Sequence, residues 1–108
     1  MHELSEESAM LGHVMDYRAS VTPAPAGTTP ADLWDDLRRR ADQIRDLWES
    51  DPEAALYVAM DIDKTAGYLI YEAVKRAREA GVTWEGIAMA TGQSRPAAWR
   101  RWTSKGID

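Results

Sequence analysis

The amino-acid sequence predicts an all-α chain, a helical bundle that ends in a trihelical unit, and three observations carry this. Apolar residues between positions 30 and 80 recur at alternating spacings of three and four, the period of an amphipathic helix. Pro30 and Pro52 each follow a cap residue, Thr29 and Asp51, which marks two helix starts. Beyond Gly81, two short capped segments flank Gly92. A length of 108 residues suits one domain and one core, with a separate N-terminal arm.

Residues 1–29 are predicted to form that arm and a proline-rich linker. Residues 3–19 could make one short amphipathic helix, with Leu4, Leu11 and Met15 on one side and Met10 and Val14 beside them. The stretch from Val21 to Pro30 holds three prolines and a glycine, which deny it regular hydrogen bonding and favour an extended course. Such a linker carries few groups able to join a core, so residues 1–30 are expected to be dispensable for folding. The acidic opening His2-Glu3-Leu4-Ser5-Glu6-Glu7 is unlike a secretory leader, and no apolar run is long enough to span a bilayer. The expected compartment is the cytoplasm. With no cysteine, disulfides, thiolate metal sites and thiol nucleophiles are excluded.

Residues 30–108 are read as the all-α domain, divided into an acidic half (30–74) and a terminal unit (75–108). The first helix is expected from Pro30 to about Ser50, burying a stripe of Trp34, Leu37, Ala41, Ile44 and Trp48. Arg38, Arg39 and Arg40 have Asp35, Asp36 and Asp42 at helical contact spacing, which favours a salt-bridge-laced surface over a phosphate-binding patch. The second helix is expected from Pro52 to about Ala80, with Gly81 as its left-handed stop. It carries a mostly small stripe of Ala55, Ala59, Ile62, Ala66, Leu69, Ala73 and Ala77, and a second apolar row of Leu56, Met60, Gly67, Ile70 and Val74. Apolar cover on two sides predicts either a central helix or one that also meets a second copy of the chain. Asp61, Asp63 and Lys64 read as ordinary surface charges, and no metal site is expected.

The net charge of −5 hides an asymmetry. Residues 1–74 carry a net −9 and residues 75–108 a net +4, which suggests a polyanion-binding end. In that end Thr83 caps a short helix through about Ala90, Gly92 breaks it, and Ser94 caps the next, with Arg95 and Pro96 in its first turn. Ile87, Ala98 and Trp102 should point inward, and Ala88 is small where the two helices nearly touch. Two short helices around a glycine-containing three-residue turn make a helix-turn-helix signature.

The stretch resembles the helix-turn-helix of bacterial and phage regulators. The matching residues are Ala80-Gly81, Trp84 with Ile87, Gly92, Ser94-Arg95, Ala97-Ala98 and Arg101-Trp102, about a quarter of the chain. Two residues depart from the pattern. Gln93 stands where an aliphatic residue usually plugs the turn, and Pro96 stands where a polar residue is common. The resemblance implies double-stranded DNA as partner, with the second helix in the major groove. On that geometry Ser94, Arg95, Pro96 and Arg100 face DNA, with Arg95 as base reader and Arg100, Arg101 and Lys105 near phosphates. Lys75, Arg76 and Arg78 could touch the flanking backbone, while Trp99 could be core, phosphate-edge contact or dimer contact. Because one such unit buries little surface on DNA, a homodimer is expected.

The rival reading is a protein-interaction module, an antitoxin or adaptor, whose residues 1–50 engage a protein partner. An enzyme is not expected. His2 and His13 are the only histidines, no nucleophile–base arrangement or phosphate-binding glycine loop is present, and no cofactor is implied.

Overall fold

Each helix among the described residues starts on a side chain that satisfies an otherwise orphaned backbone N–H. In the computed structural model, which describes residues 21–108, there are four: α1 (Pro30–Leu47), α2 (Pro52–Glu79), α3 (Trp84–Thr91) and α4 (Arg95–Thr103). Thr29 Oγ1 accepts from Asp32 N at 3.2 Å while Thr29 N donates to Asp32 Oδ2 at 2.9 Å, a reciprocal capping box. Asp51, Thr83 and Ser94 accept from Ala54 N, Gly86 N and Ala97 N in the same way. Helix is therefore the only regular structure among the described residues, as their spacing predicts, and none of these helices is long and apolar enough to cross a membrane. The short helix read over residues 3–19 lies outside the described residues.

α1 and α2 form an antiparallel hairpin. α1 buries Leu33 and half-buries Leu37, Ile44 and Leu47, against Ala55, Val58 and Thr65 of α2. This corrects the expected stripe. Leu37 and Ile44 belong to it, but Ala41, Trp34 (57% exposed) and Trp48 (65% exposed) do not. The inward row is turned by about half a residue, roughly 50°. Beside this row, polar groups close the hairpin. Asp36 Oδ2 accepts from Thr65 Oγ1 at 2.8 Å and from Arg40 Nε at 2.9 Å, and Arg40 reaches on to Asp61 at 2.9 Å. A buried threonine hydroxyl needs such a partner, and Asp36 supplies it. Arg39 pairs with Asp36 and Arg45 with Asp42, so this surface is laced with ion pairs, although Arg39 takes Asp36 rather than Asp35.

Farther along, α2 buries the other side of itself. Tyr71 and Val74 join Trp84, Ile87, Ala88, Ala98, Trp102 and Ile107 in one cluster, with Ile70 and Ala77 packed at its edge. Ala98 and Trp102 are 0% and 1% exposed. Thr65 and Ala55 lie on nearly the opposite side of the helix from Tyr71 and Val74, so α2 is the shared wall of two cores. Of the second apolar row, Val74 is buried, but Leu56 and Met60 are exposed.

Two segments join this second core unexpectedly. Val21 is buried in it, its backbone so near Gly67 that a Cβ there would sit 3.6 Å from Val21 Cα. The linker therefore does contribute to the core, contrary to its composition. After α4 the chain also folds back on α2, where Ile107 is buried and Tyr71 Oη donates to the Lys105 carbonyl at 3.1 Å.

Candidate nucleic-acid interface

α3 and α4 are held at a fixed angle by a turn that only a few residues could make. Gly92 adopts φ +67° and ψ +29°, the left-handed region that a glycine enters without steric cost. Its N–H and that of Gln93 bond back to Met89 and Ala88 carbonyls. Gln93, where an aliphatic plug is usual, is half-buried with its Oε1 3.0 Å from the Thr91 hydroxyl, which also lies 2.8 Å from the Ile87 carbonyl. The turn is thus closed by a polar contact in place of an apolar one.

α4 lies with Ala98 and Trp102 down in the core, which decides what faces out. Pro96, Trp99 and Arg100 are exposed together on the other side, while Arg95 is exposed in the first turn, nearer the Trp102 side by helical phase, with Ser94 at the cap. Trp99, at 52% exposure, stands one turn after Arg95 and beside Pro96. Of the three roles open to it, the core is excluded.

The remaining basic residues separate by position. Arg101 is half-buried, its guanidinium 5.1 Å from the Trp102 ring centroid, and so faces away from the Pro96–Arg100 side. Lys105 is half-buried where the chain turns back toward α2. Arg78 donates through Nε to the Asp108 backbone oxygen at 2.7 Å and through Nη1 to the Val82 carbonyl at 2.8 Å, and stacks 4.4 Å over the Trp84 ring. It clamps the C-terminal segment and the start of α3 onto α2. Lys75 is exposed and lines a small cleft with Arg78 and residues 106–108. Arg76 is on the other side of α2, in a groove with Trp34, Leu69 and Ala73, and is not gathered with α4. Among the described residues no cluster of three or more His, Asp or Glu could hold a metal.

Met89, the most exposed large apolar side chain among the described residues, and Thr103, one turn beyond Trp99, carry no signal read from the sequence. The i, i+4, i+8 spacing of Arg95, Trp99 and Thr103 is the signal that would have found the second. Comparison with protein-family models, curated proteins and solved structures finds no match to this chain.

Proposed function

We propose that the chain is a sequence-specific DNA-binding protein, a transcriptional regulator that reads the major groove with the helix of residues 94–103 and acts as a homodimer. One observation carries the reading. Arg95 in the first turn and the Pro96, Trp99 and Arg100 face behind it are all exposed, on a capped and tightly packed helix-turn-helix pair, within the part of the chain that is net positive. Arg95, in the first turn, suits bidentate contact with a guanine edge. Pro96 and Trp99 offer apolar surface to a thymine methyl, and Arg100 suits a phosphate. Lys75 suits flanking phosphate, whereas Arg78 and Arg101 act by holding the unit in shape.

Retention on duplex DNA over a salt series tests this. The intact protein should bind at about 50 mM salt and release as salt rises, since counterions are exchanged for each phosphate contact. Arg95→Ala should lower specific affinity by ~1–3 kcal/mol and leave weak non-specific binding nearly intact, while Arg100→Ala should weaken all sequences alike. Absence of any salt-dependent retention would overturn the proposal. A second reading, a protein-interaction module of the antitoxin or adaptor kind, is favoured by the exposed Trp34, Trp48, Leu56 and Tyr57 of the acidic half. It would take over in that event.

A further inference from the structure

We infer that a second copy of this chain covers the flank of the α1–α2 hairpin that carries Trp34 and Trp48. This assigns a face to the proposed homodimer, and it does not depend on DNA binding. Trp34, Ala41 and Trp48 repeat every seven residues, so they stand above one another on one flank of α1, beside the inward row of Leu33, Leu37 and Ile44. Trp48 keeps right-handed helical backbone as the C-cap, so the stripe runs to it unbroken. On α2, Ala59, Ala66 and Ala73 repeat at the same interval. Trp34 shares a groove with Leu69 and Ala73, which puts both stripes on the same flank. The linker takes the other flank, where Pro25 and Thr28 lie with Asp36, Asp61 and Tyr68.

The flank therefore has large residues on one helix and small ones on its neighbour. A two-fold axis parallel to the helices sets α1 of one copy over α2 of the other, which brings Trp34 level with the partner's Ala66 and Ala41 level with the partner's Ala59, while Trp48 lies beyond the row near the start of the partner's α2. Large side chains over small ones is how helix surfaces interlock closely. The same operation matches charge. Asp36 lies level with Thr65, and Arg40 with Asp61, so Arg38 lies level with Asp63. Helical phase places both at the outer edge of the Trp34 flank. Neither has an ion-pair partner among the described residues, although Arg39, Arg40 and Arg45 all do. The two-fold brings Arg38 of each copy against Asp63 of the other.

The eighteen residues of α1 give a flank ~27 Å long and roughly 20 Å wide across two helices, a patch on the order of 500 Å². That approaches the roughly 600 Å² per partner found at the lower end of specific interfaces. The α3–α4 units pack on the side of α2 turned away from Thr65, so in this arrangement they stand at the same end of the dimer, on opposite flanks. Two half-sites on one duplex need that placement.

Sedimentation equilibrium of the full chain tests the face at concentrations from about 1 to 100 µM, because dimer stability depends on protomer concentration. The expected mass is twice the 12.1 kDa of one chain. Trp34→Glu should shift it to one chain with the helical circular dichroism unchanged, since the side chain is exposed. Arg38→Asp and Asp63→Arg should each weaken the dimer by ~10-fold or more, and the double variant should restore it. A dimer indifferent to Trp34→Glu, or a charge swap that restores nothing, overturns the assignment. So does a monomeric parent. If Trp34→Glu then lowers its melting temperature, the chain's own first twenty residues cover the face, and if not, a different protein does. A dimer that ignores DNA would sink the DNA reading alone, and a monomer that binds DNA would sink this inference alone.

Discussion

Single residues carry much of the geometry, and Arg78 carries the most. Its two hydrogen bonds and its stack on Trp84 join α2 to the start of α3 and to the last residue. Arg78→Ala should cost ~1–3 kcal/mol in a denaturant melt, the range for losing charged hydrogen bonds to backbone acceptors. Lysine lacks the planar fork that directs both bonds and stacks on Trp84, so Arg78→Lys should recover little of that. Asp36 makes the hairpin pH-sensitive. Burial alone would raise its pKa, but hydrogen bonds from Thr65, Arg40 and Arg39 outweigh that and hold the carboxyl below its ordinary value. A carboxyl lowered in the folded state adds stability above the unfolded value of ~3.9, and loses it as pH falls through the folded one. The stability difference between the parent and Asp36→Asn should therefore be constant near neutrality and shrink below about pH 4. A difference that grew on acidification would contradict this account.

At the scale of elements, the helix ends were legible because they are local chemistry. Thr29-Pro30, Asp51-Pro52, Thr83, Gly92 and Ser94 all cap or break helices where the sequence places them, since each acts on backbone within three residues. Gly92→Ala tests the last of these signals. With no atom within 4 Å of an added Cβ, its cost comes from backbone alone, and ~1–2 kcal/mol is expected for a left-handed alanine. Gly92→Asn should cost less, because asparagine tolerates that region. Facing was less legible than ends. On α1, two adjacent stripes both satisfy the helical period, and tryptophan bulk favoured the wrong one. The buried row, Leu33 with Leu37, Ile44 and Leu47, is all aliphatic, and the bonds that mark its side, Thr65 to Asp36 and Arg40 to Asp61, join residues more than twenty apart. At the candidate interface, Pro96 and Arg100 could be placed on one face by phase, whereas Arg95 is exposed through its place in the first turn. The bond from Arg78 to Asp108 joins residues thirty apart, which spacing does not reveal.

Over the whole molecule, the segment that composition read as a bare connector is part of the second core. Val21 packs against Gly67 and the Tyr71–Val74 side of α2. Val21→Ala should cost ~1–3 kcal/mol by loss of buried methyl groups. A chain beginning at Thr29 should melt lower by at least as much, with about 4–8 °C expected per kcal/mol for a domain of this size. An unchanged melt would return the linker to a passive role.

α2 faces one core with its first half and the other core with its second, and the two overlap around Thr65 to Tyr71. Neither core can come apart without stripping a side from this one helix. Amide hydrogens in that overlap should consequently exchange with solvent deuterium only when the entire chain opens, and they should be the slowest in the protein. Amides near the ends of α1 and α4, each bordered by one core, exchange through smaller local openings as well. A single slow class centred on one helix, shared by two otherwise separate packing units, is the kinetic imprint of a common wall.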